Sequence, residues 1–184
     1  RYDEMVTRQT ALHLADELWN GYPMQPVLDF VTKHLHIPPK AKIVELGCSV
    51  ARLIAGLAQQ YPDSECWGID YSYQLLKRAK EYWHFEAVVN IDGSFRGMKP
   101  VIARGTMLNN LHFGLAKAEA LPFDDASQDV LINSFLLDRL QDPVKGLQEM
   151  HRVLKPGGQL IMISPLNFTK LPPTGSRWVD TSDD

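Results

Sequence analysis

The feature that most constrains the fold is a repeated alternation between short apolar runs and segments whose apolar residues recur at helical spacing. Five apolar runs are predicted as buried strands: 42–46, 65–69, 111–116, 129–134 and 159–164. Because the connections between them are short and helical, parallel strands joined by right-handed crossovers are expected. The pattern therefore predicts an α/β fold with a doubly wound, mainly parallel sheet and helices on both faces.

The length of 184 residues fits one domain with a sizeable core. Two predicted helices in residues 1–39 are expected to form a lid or cap on the same domain, whose core spans residues 40–165. Residues 86–110 interrupt the alternation with several glycines and a proline, which predicts an insertion that contains a hairpin. Residues 166–184 are rich in Pro, Thr, Ser and Asp, a composition typical of a flexible tail.

A candidate ligand site lies where the first two predicted strands end. Gly47 follows the first strand at a tight turn, and Asp70 ends the second strand 23 positions later. In open α/β sheets ligands bind outside the carboxyl ends of the strands, and an acidic residue about 20 positions after the turn binds ribose hydroxyls. Either residue alone is common at a turn or strand end, but together at this spacing they indicate a nucleoside cofactor.

The same turn excludes several nucleotide cofactors. A dinucleotide-binding fingerprint that starts at Gly47 requires glycines at positions 49 and 52, where the chain has Ser49 and Arg52. The phosphate-binding pattern G-x-x-x-x-G-K-[ST] does not occur in the sequence. NAD, FAD and nucleoside triphosphates are therefore disfavoured, and an NAD(P)-dependent oxidoreductase is the weakest of the functions considered.

Four segments in order resemble the motifs of class I S-adenosylmethionine-dependent methyltransferases of the methyltransferase domain 11 type. The segments are V-E-L-G-C-S-V-A-R, W-G-I-D-Y-S, A-K-A-E-A-L-P-F-D-D-A-S-Q-D-V and E-M-H-R-V-L-K-P-G-G-Q-L, and the resemblance covers roughly residues 40–165. It implies a Rossmann-like sheet with strand order 3-2-1-4-5. It also implies S-adenosyl-L-methionine as the cofactor and S-adenosyl-L-homocysteine as its product.

The resemblance further implies which residues bind the cofactor, although it identifies no catalytic residue. Residues expected beside the methionine half are Glu45 and Gly47, with the backbone of Cys48, Ser49 and Ala51 wrapping around it. Residues expected at the ribose and adenine are Asp70, Tyr71, Ala118 and Glu119. Residues expected to flank the methionine moiety and face the acceptor are Asn133, Ser134 and Phe135.

Three positions depart from the family pattern. Ser49 and Ala51 stand where the family usually has glycines, and the methyl group of Ala51 adds bulk close to the ligand. Lys117 stands where the family usually has an aspartate that accepts a hydrogen bond from the adenine amino group, and a lysine offers only donors. These departures leave open a non-catalytic module that binds the cofactor or serves as a scaffold.

The acceptor and the partners are bounded by what the sequence lacks. The segment Asn133-Ser134-Phe135-Leu136 has neither the Pro-Pro nor the Pro-Cys motif of DNA methyltransferases, which favours a small-molecule acceptor. The 19 Lys and Arg residues are dispersed and the net charge is −3, so no nucleic-acid partner is expected. No apolar run approaches the ~20 residues of a membrane span, and no metal site is predicted. Two cysteines, predicted as free thiols, favour the cytoplasm.

The end of the chain predicts an exposed sheet edge. Members of the family usually add two antiparallel strands after strand five, and only twenty residues follow Ser164 here. The antiparallel pair is therefore expected to be missing, which indicates a truncated or incompletely ordered chain, or a fifth strand covered by the tail or by a partner. Apolar edge strands favour pairing with other chains, so self-association through this edge is a further prediction.

Overall fold

Five parallel strands form the central sheet of the computed structural model, which describes residues 2–167. The helices are α1 (Tyr2–Leu14), α2 (Gln25–His34), α3 (Arg52–Gln60), α4 (Tyr73–His84) and α5 (Pro143–Val153). The strands are β1 (Lys42–Leu46), β2 (Glu65–Asp70), β3 (Val88–Ile91), β4 (Val101–Arg104), β5 (Leu111–Leu115), β6 (Gln128–Ser134) and β7 (Leu154–Ile163). Short 3₁₀ turns span Asp16–Leu18, Ser94–Arg96 and Leu137–Arg139. Most of the predicted tail, residues 168–184, lies outside the described residues.

The sheet order is β5-β2-β1-β6-β7, which confirms the predicted order 3-2-1-4-5. Strand β1 lies at the centre, where Ile43 pairs with Cys66 on one side and with Val130 on the other. All residues of β1 except Lys42 are buried, as expected for a parallel strand covered on both faces. Since the strands run in register, the carboxyl ends of β5, β2, β1 and β6 lie side by side along one edge of the sheet.

Alternating side chains of the strands contact two separate apolar cores. The larger core packs α1, α2, α3 and α4 onto one face of the sheet and includes Ile43 and Ile132. The smaller core packs α5 onto the other face and includes Val44 and Leu131. Successive strand residues point to opposite faces, so neighbours such as Ile43 and Val44 belong to different cores.

Two helices begin at side-chain caps that the sequence encodes locally. The hydroxyl of Ser72 accepts a hydrogen bond from the amide of Leu75 at the start of α4. The carboxylate of Asp142 accepts one from the amide of Lys145 at the start of α5, where Pro143 follows. A cap of this kind stabilises a helix by about 1 kcal/mol, because it satisfies an amide that has no partner within the helix.

The insertion predicted at 86–110 contains the predicted hairpin. Strands β3 and β4 pair antiparallel, with Val89 opposite Ala103 and Ile91 opposite Val101. Val89, Ile91 and Ala103 are buried in the larger core. The hairpin therefore extends the layer formed by α1, α2, α3 and α4 on one face of the sheet.

The predicted start of the last strand is wrong. Residues Lys155–Gly158 are predicted as a turn before a strand at 159–164, but β7 begins at Leu154, directly after α5. Gln128 pairs with Leu154 and Val130 pairs with Gln159, so the register shifts between these two pairs. The extra residues, including Gly157 with a φ of +77°, are accommodated as a bulge within the strand.

Strand β7 is one edge of the sheet within residues 2–167, and β5 is the other. The β7 side chains Leu160 and Met162 are 39% and 41% exposed, which agrees with the predicted exposed edge. Self-association through this edge, or its cover by other residues, stays a prediction. Within residues 2–167, no helix combines the length and the apolar character that a membrane span requires.

Candidate cofactor site

The loop after β1 folds directly onto the neighbouring strand β2. The amides of Gly47 and Cys48 both donate to the carbonyl oxygen of Ile69, at 2.7 and 3.1 Å. The side chain of Cys48 is buried over the middle of β2, since a Cβ built on Gly68 would lie 2.9 Å from the Cys48 sulfur. Both Cys48 and Cys66 are free thiols, as predicted. These contacts bring the loop to the end of β2, where Asp70 stands.

Asp70 connects the two strand tips by hydrogen bonds to backbone amides. Its Oδ2 accepts from the amide of Ser49 at 2.9 Å, and its Oδ1 accepts from the amide of Ser72 at 2.8 Å. Burial raises the pKa of the Asp70 carboxyl, and these amide hydrogen bonds oppose the rise. An ionised carboxylate has about four acceptor positions, so this one retains acceptor capacity for the hydroxyls of a ribose.

The backbone of the loop is left-handed at every second residue. The φ angles of Gly47, Ser49 and Ala51 are +71°, +54° and +65°. A left-handed conformation costs a non-glycine residue about 1–2 kcal/mol, because its Cβ crowds the carbonyl oxygen. Ser49 and Ala51 therefore retain the conformation that glycines adopt freely. Ala51 is fully buried in the larger core, and its left-handed φ adds backbone strain. The predicted bulk of its methyl group beside the ligand stays a prediction.

Glu45 ties β1 to the helix that follows the loop. Its side chain is buried, and its Oε2 accepts a hydrogen bond from the amide of Ile54 in the first turn of α3 at 3.1 Å. Burial raises the pKa of Glu45 to about 8, the Ile54 amide opposes the rise, and the neighbouring Asp70 adds to it. The side chain thus occupies an amide at the start of α3 and keeps the loop 47–51 between two fixed ends.

At Gly47 a side chain would meet both backbone strain and a close neighbour. A Cβ at this residue would lie 3.2 Å from Cδ1 of Leu136, which follows β6. Its φ is also one that other residues rarely adopt. The loop after β1 and the segment after β6 therefore approach each other over Gly47, as the predicted methionine site requires.

The end of β6 carries buried polar atoms without partners. Within residues 2–167, Oδ1 of Asn133 and Oγ of Ser134 are shielded from solvent and make no hydrogen bond. Asn133 is fully buried and pairs with Leu46 in the sheet. Buried polar groups are almost always satisfied, so such atoms at a strand tip are typical of a ligand or water site. This observation fits a polar ligand beside the first loop, and Phe135, with a φ of +59°, lies next to it.

The residues predicted for the adenine end follow two neighbouring strands: Tyr71 follows β2, and Ala118 and Glu119 follow β5. Ala118 is buried, whereas Tyr71 is 70% exposed. Glu119 accepts a hydrogen bond at its Oε1 from the backbone amide of Gln141 at 3.1 Å, so this carboxylate stabilises the loop before α5. Lys117 is exposed, and its backbone forms a bridge with Ala120. These residues therefore lie after the tips of β2 and β5, while their contacts with adenine stay predictions.

A charged pair that the sequence analysis did not assign lies beside the loop. Nη2 of Arg52, the first residue of α3, is 3.1 Å from Oδ2 of Asp16. The guanidinium also lies over the ring of Tyr22, whose hydroxyl is 3.0 Å from Nδ1 of His13. The paired residues are far apart in sequence and follow no local spacing rule, so no sequence signal could have associated them.

A family comparison decides between the cofactors that such a site could hold. The family model described as "Methyltransferase domain" matches residues 44–162, which is well over half of the chain. The chain belongs to this family. It is a methyltransferase domain, and its cofactor is S-adenosyl-L-methionine. The resemblance inferred from the four motifs is confirmed.

Curated relatives of this methyltransferase domain are longer proteins. An uncharacterized methyltransferase of Schizosaccharomyces pombe is 31% identical over 64% of this chain and 37% of its own length. A demethylmenaquinone methyltransferase of Staphylococcus haemolyticus is 28% identical over 72% and 47%. A ubiquinone/menaquinone biosynthesis C-methyltransferase of Geotalea daltonii is 24% identical over 73% and 49%. The matches therefore span less than half the length of these relatives.

Solved structures share the fold of this methyltransferase domain. A SAM-dependent methyltransferase from Aquifex aeolicus matches with a TM-score of 0.53 and 19% identity, over 73% of this chain and 63% of that one. The [4+2]-cyclase SpnF matches with a TM-score of 0.57 and 21% identity, over 74% and 43%. The name of the second protein illustrates that the fold alone does not determine the reaction.

Proposed function

We propose that this domain binds S-adenosyl-L-methionine across the tips of β1 and β2 and transfers its methyl group to a small-molecule acceptor. The observation that carries the proposal is the 2.9 Å hydrogen bond from the Ser49 amide to Asp70, which brings the glycine turn and the ribose-binding carboxylate together. The ligand would contact Gly47 on the methionine side and Asp70 on the ribose side. Within residues 2–167, Oδ1 of Asn133 and Oγ of Ser134 at the tip of β6 have no hydrogen-bond partner, which supports the same placement.

The chain's part in such a reaction is positioning rather than acid–base chemistry. The bound cofactor supplies a methyl carbon that its sulfonium already activates. The left-handed loop holds the methionine half against β6, and Asp70 orients the ribose. Correct placement of two reactants can contribute roughly 7–11 kcal/mol to lowering a barrier, so a site without a dedicated base is compatible with methyl transfer.

The acceptor we propose is an apolar ring compound. Phe135, the aromatic residue expected to face the acceptor, is 36% exposed directly after the tip of β6. Two relatives carry names that refer to menaquinone, which is a quinone and therefore a ring compound, and one of them is named a C-methyltransferase. The exposed aromatic side chain and these names together support a ring acceptor over a charged metabolite.

A non-catalytic cofactor-binding module is the second candidate. The strained Ser49 and Ala51, and Lys117 in place of an adenine-binding aspartate, favour it. Both candidates bind S-adenosyl-L-homocysteine, so binding alone does not separate them. A methyl-transfer assay with a panel of quinols and phenols does, because only an enzyme produces the methylated ring.

Calorimetric titration tests the site itself. We expect S-adenosyl-L-homocysteine to bind and NAD not to bind. Asp70→Asn should weaken binding of S-adenosyl-L-homocysteine by about 1.5–3 kcal/mol, because hydrogen bonds to a charged acceptor are lost. Asp92→Asn is the matched control, since Asp92 accepts from the Ser94 amide at 2.8 Å in the same local geometry, but on the hairpin. Equal affinity in wild type and Asp70→Asn would remove Asp70 from the site.

A further inference from the structure

The Arg52–Asp16 pair lies at the methionine end of the candidate cofactor site. Arg52 directly follows Ala51, the last residue of the left-handed loop, and its guanidinium is held between Asp16 and the ring of Tyr22. Burial raises the pKa of the Tyr22 hydroxyl, and the charge of Glu45 raises it further, so Tyr22 also lies within electrostatic reach of β1. The pair thus borders the end of the loop at Ala51.

Both partners retain unused hydrogen-bonding capacity. Within residues 2–167, the contacts recorded for the Arg52 guanidinium are the bond to Asp16 and the stacking on Tyr22, which leave other N–H donors of its fork available. Oδ1 of Asp16 is shielded from solvent and has no partner in the same range. The cationic guanidinium of Arg52 and the carboxylate of Asp16 therefore lie side by side, and each has capacity for a further hydrogen bond.

This arrangement is complementary to an α-amino acid. A zwitterion presents one carboxylate, which a guanidinium binds in a two-pronged geometry, and one ammonium, which a carboxylate oxygen accepts. We infer that Arg52 binds the carboxylate and Asp16 binds the ammonium of the amino-acid end of the cofactor. The inference rests on the proposed function, because it assumes that the adenosyl half lies between Gly47 and Asp70.

The alternative is that the pair only fastens the N-terminal segment to α3. Such a structural role would affect every ligand of the site equally. A direct contact would affect only ligands that carry the amino-acid end. The two roles therefore differ in a measurable ratio, the affinity for S-adenosyl-L-homocysteine divided by the affinity for 5′-methylthioadenosine, which has the adenosyl group and no amino acid.

The first measurement uses the wild-type protein and needs no variant. Calorimetric titrations compare S-adenosyl-L-homocysteine, its decarboxylated analogue and 5′-methylthioadenosine. We expect each removal to weaken binding, the decarboxylated analogue by at least about tenfold, because the guanidinium loses its anion. Equal affinity for S-adenosyl-L-homocysteine and its decarboxylated analogue would overturn the inference. If neither S-adenosyl-L-homocysteine nor methylthioadenosine binds, the proposed function itself fails.

The second measurement assigns the contact to the residues. Arg52→Gln should weaken S-adenosyl-L-homocysteine binding by about tenfold and abolish the preference over the decarboxylated analogue, with methylthioadenosine binding unchanged. Asp16→Asn should weaken the binding of S-adenosyl-L-homocysteine and leave the affinity for methylthioadenosine unchanged. Glu17→Gln, an exposed acid on the same 3₁₀ turn, and Arg104→Gln, an exposed cation on the hairpin, are the matched controls and should change neither affinity.

Methylthioadenosine binding also reports whether a variant is folded. Arg52→Lys keeps the charge and removes the planar fork, so it should show an intermediate loss for S-adenosyl-L-homocysteine. If Arg52→Gln and Arg52→Lys weaken both ligands by the same factor, the pair is a structural fastening and the inference is wrong. The same conclusion follows if the variants change neither affinity.

Discussion

The two faces of the sheet are stabilised in different ways. One face carries α1, α2, α3, α4 and the β3–β4 hairpin over a large apolar core. Within residues 2–167, α5 is the only α-helix on the other face, which has a smaller core. The first face therefore buries more apolar surface, and the second face also depends on another kind of interaction.

That interaction is a charged network around Arg152 of α5. Its guanidinium donates to both oxygens of Glu149, at 2.7 and 2.9 Å, and to the carbonyl oxygens of Leu121 and Phe123. Glu149 in turn accepts from the amide of Leu121 at 2.8 Å. One arginine thus fastens the loop between β5 and β6, which carries the predicted adenine-binding residues, to the only helix on that face within residues 2–167.

The two halves of the candidate site are therefore stabilised by different kinds of interaction. The loop around Gly47 is supported from below by an apolar core that salt and pH affect little. The loop around Ala118 is fixed by charges and hydrogen bonds that both conditions weaken. Changes in the two faces should therefore have different sizes and different sensitivities.

The largest expected loss follows truncation in the large core. Leu57→Ala removes a fully buried side chain of α3 and should lower the free energy of unfolding by about 2–5 kcal/mol. Leu147→Ala on α5 is the matched change on the other face, where the side chain is only partly buried, and should cost less than half as much. Urea denaturation measures both. Equal losses would show that the two faces do not differ as described.

The next effect concerns the charged network. Arg152→Met keeps most of the side-chain volume and leaves two carbonyl oxygens and the carboxylates of Glu149 and Asp125 without this donor. A loss of about 1–3 kcal/mol in the free energy of unfolding is therefore expected. Gln148→Met is the control, because Gln148 is exposed on the same helix and lies outside the network. If the two substitutions cost the same, the network contributes no stability.

The pH dependence of the same variant sharpens the comparison. The hydrogen bond from Arg152 lowers the pKa of Glu149 from its ordinary 4.5 to about 2. A folded-state pKa below the unfolded one means that this stabilisation is complete above pH 4.5 and is lost as the pH falls toward 2. The advantage of wild type over Arg152→Met, measured by urea midpoints, should therefore shrink between pH 5 and pH 3. An advantage independent of pH would contradict this origin.

The smallest expected effect is a gain in the first loop. Ser49→Gly relieves a left-handed residue with a φ of +54° and should raise the free energy of unfolding by about 1 kcal/mol. Gly97→Ala is the reverse control, since Gly97 has a φ of +68° with open space around it, and should cost a similar amount. Thermal denaturation measures both shifts. A loss of stability in Ser49→Gly would show that the serine side chain outweighs the strain.

Much of the sheet could be predicted because its signals are local. Buried parallel strands are short apolar runs, and their positions and order were predicted from such runs and the four motifs. The start of β7 was predicted wrongly, because Pro156 and two glycines indicate a turn. In the structure, β7 pairs with β6 before and after this segment, which forms a bulge within the strand. Local rules do not report whether such a partner is present.

The family, the cofactor and the two strand tips proposed to bind it could be inferred from the residues alone, because each motif, around Gly47 and around Asp70, is a continuous segment of the chain. The left-handed backbone of Ser49 and Ala51 and the contact of Arg52 with Asp16 became visible only in the folded molecule. Backbone strain and long-range ion pairs depend on packing between segments distant in sequence, so no local pattern of residues predicts them.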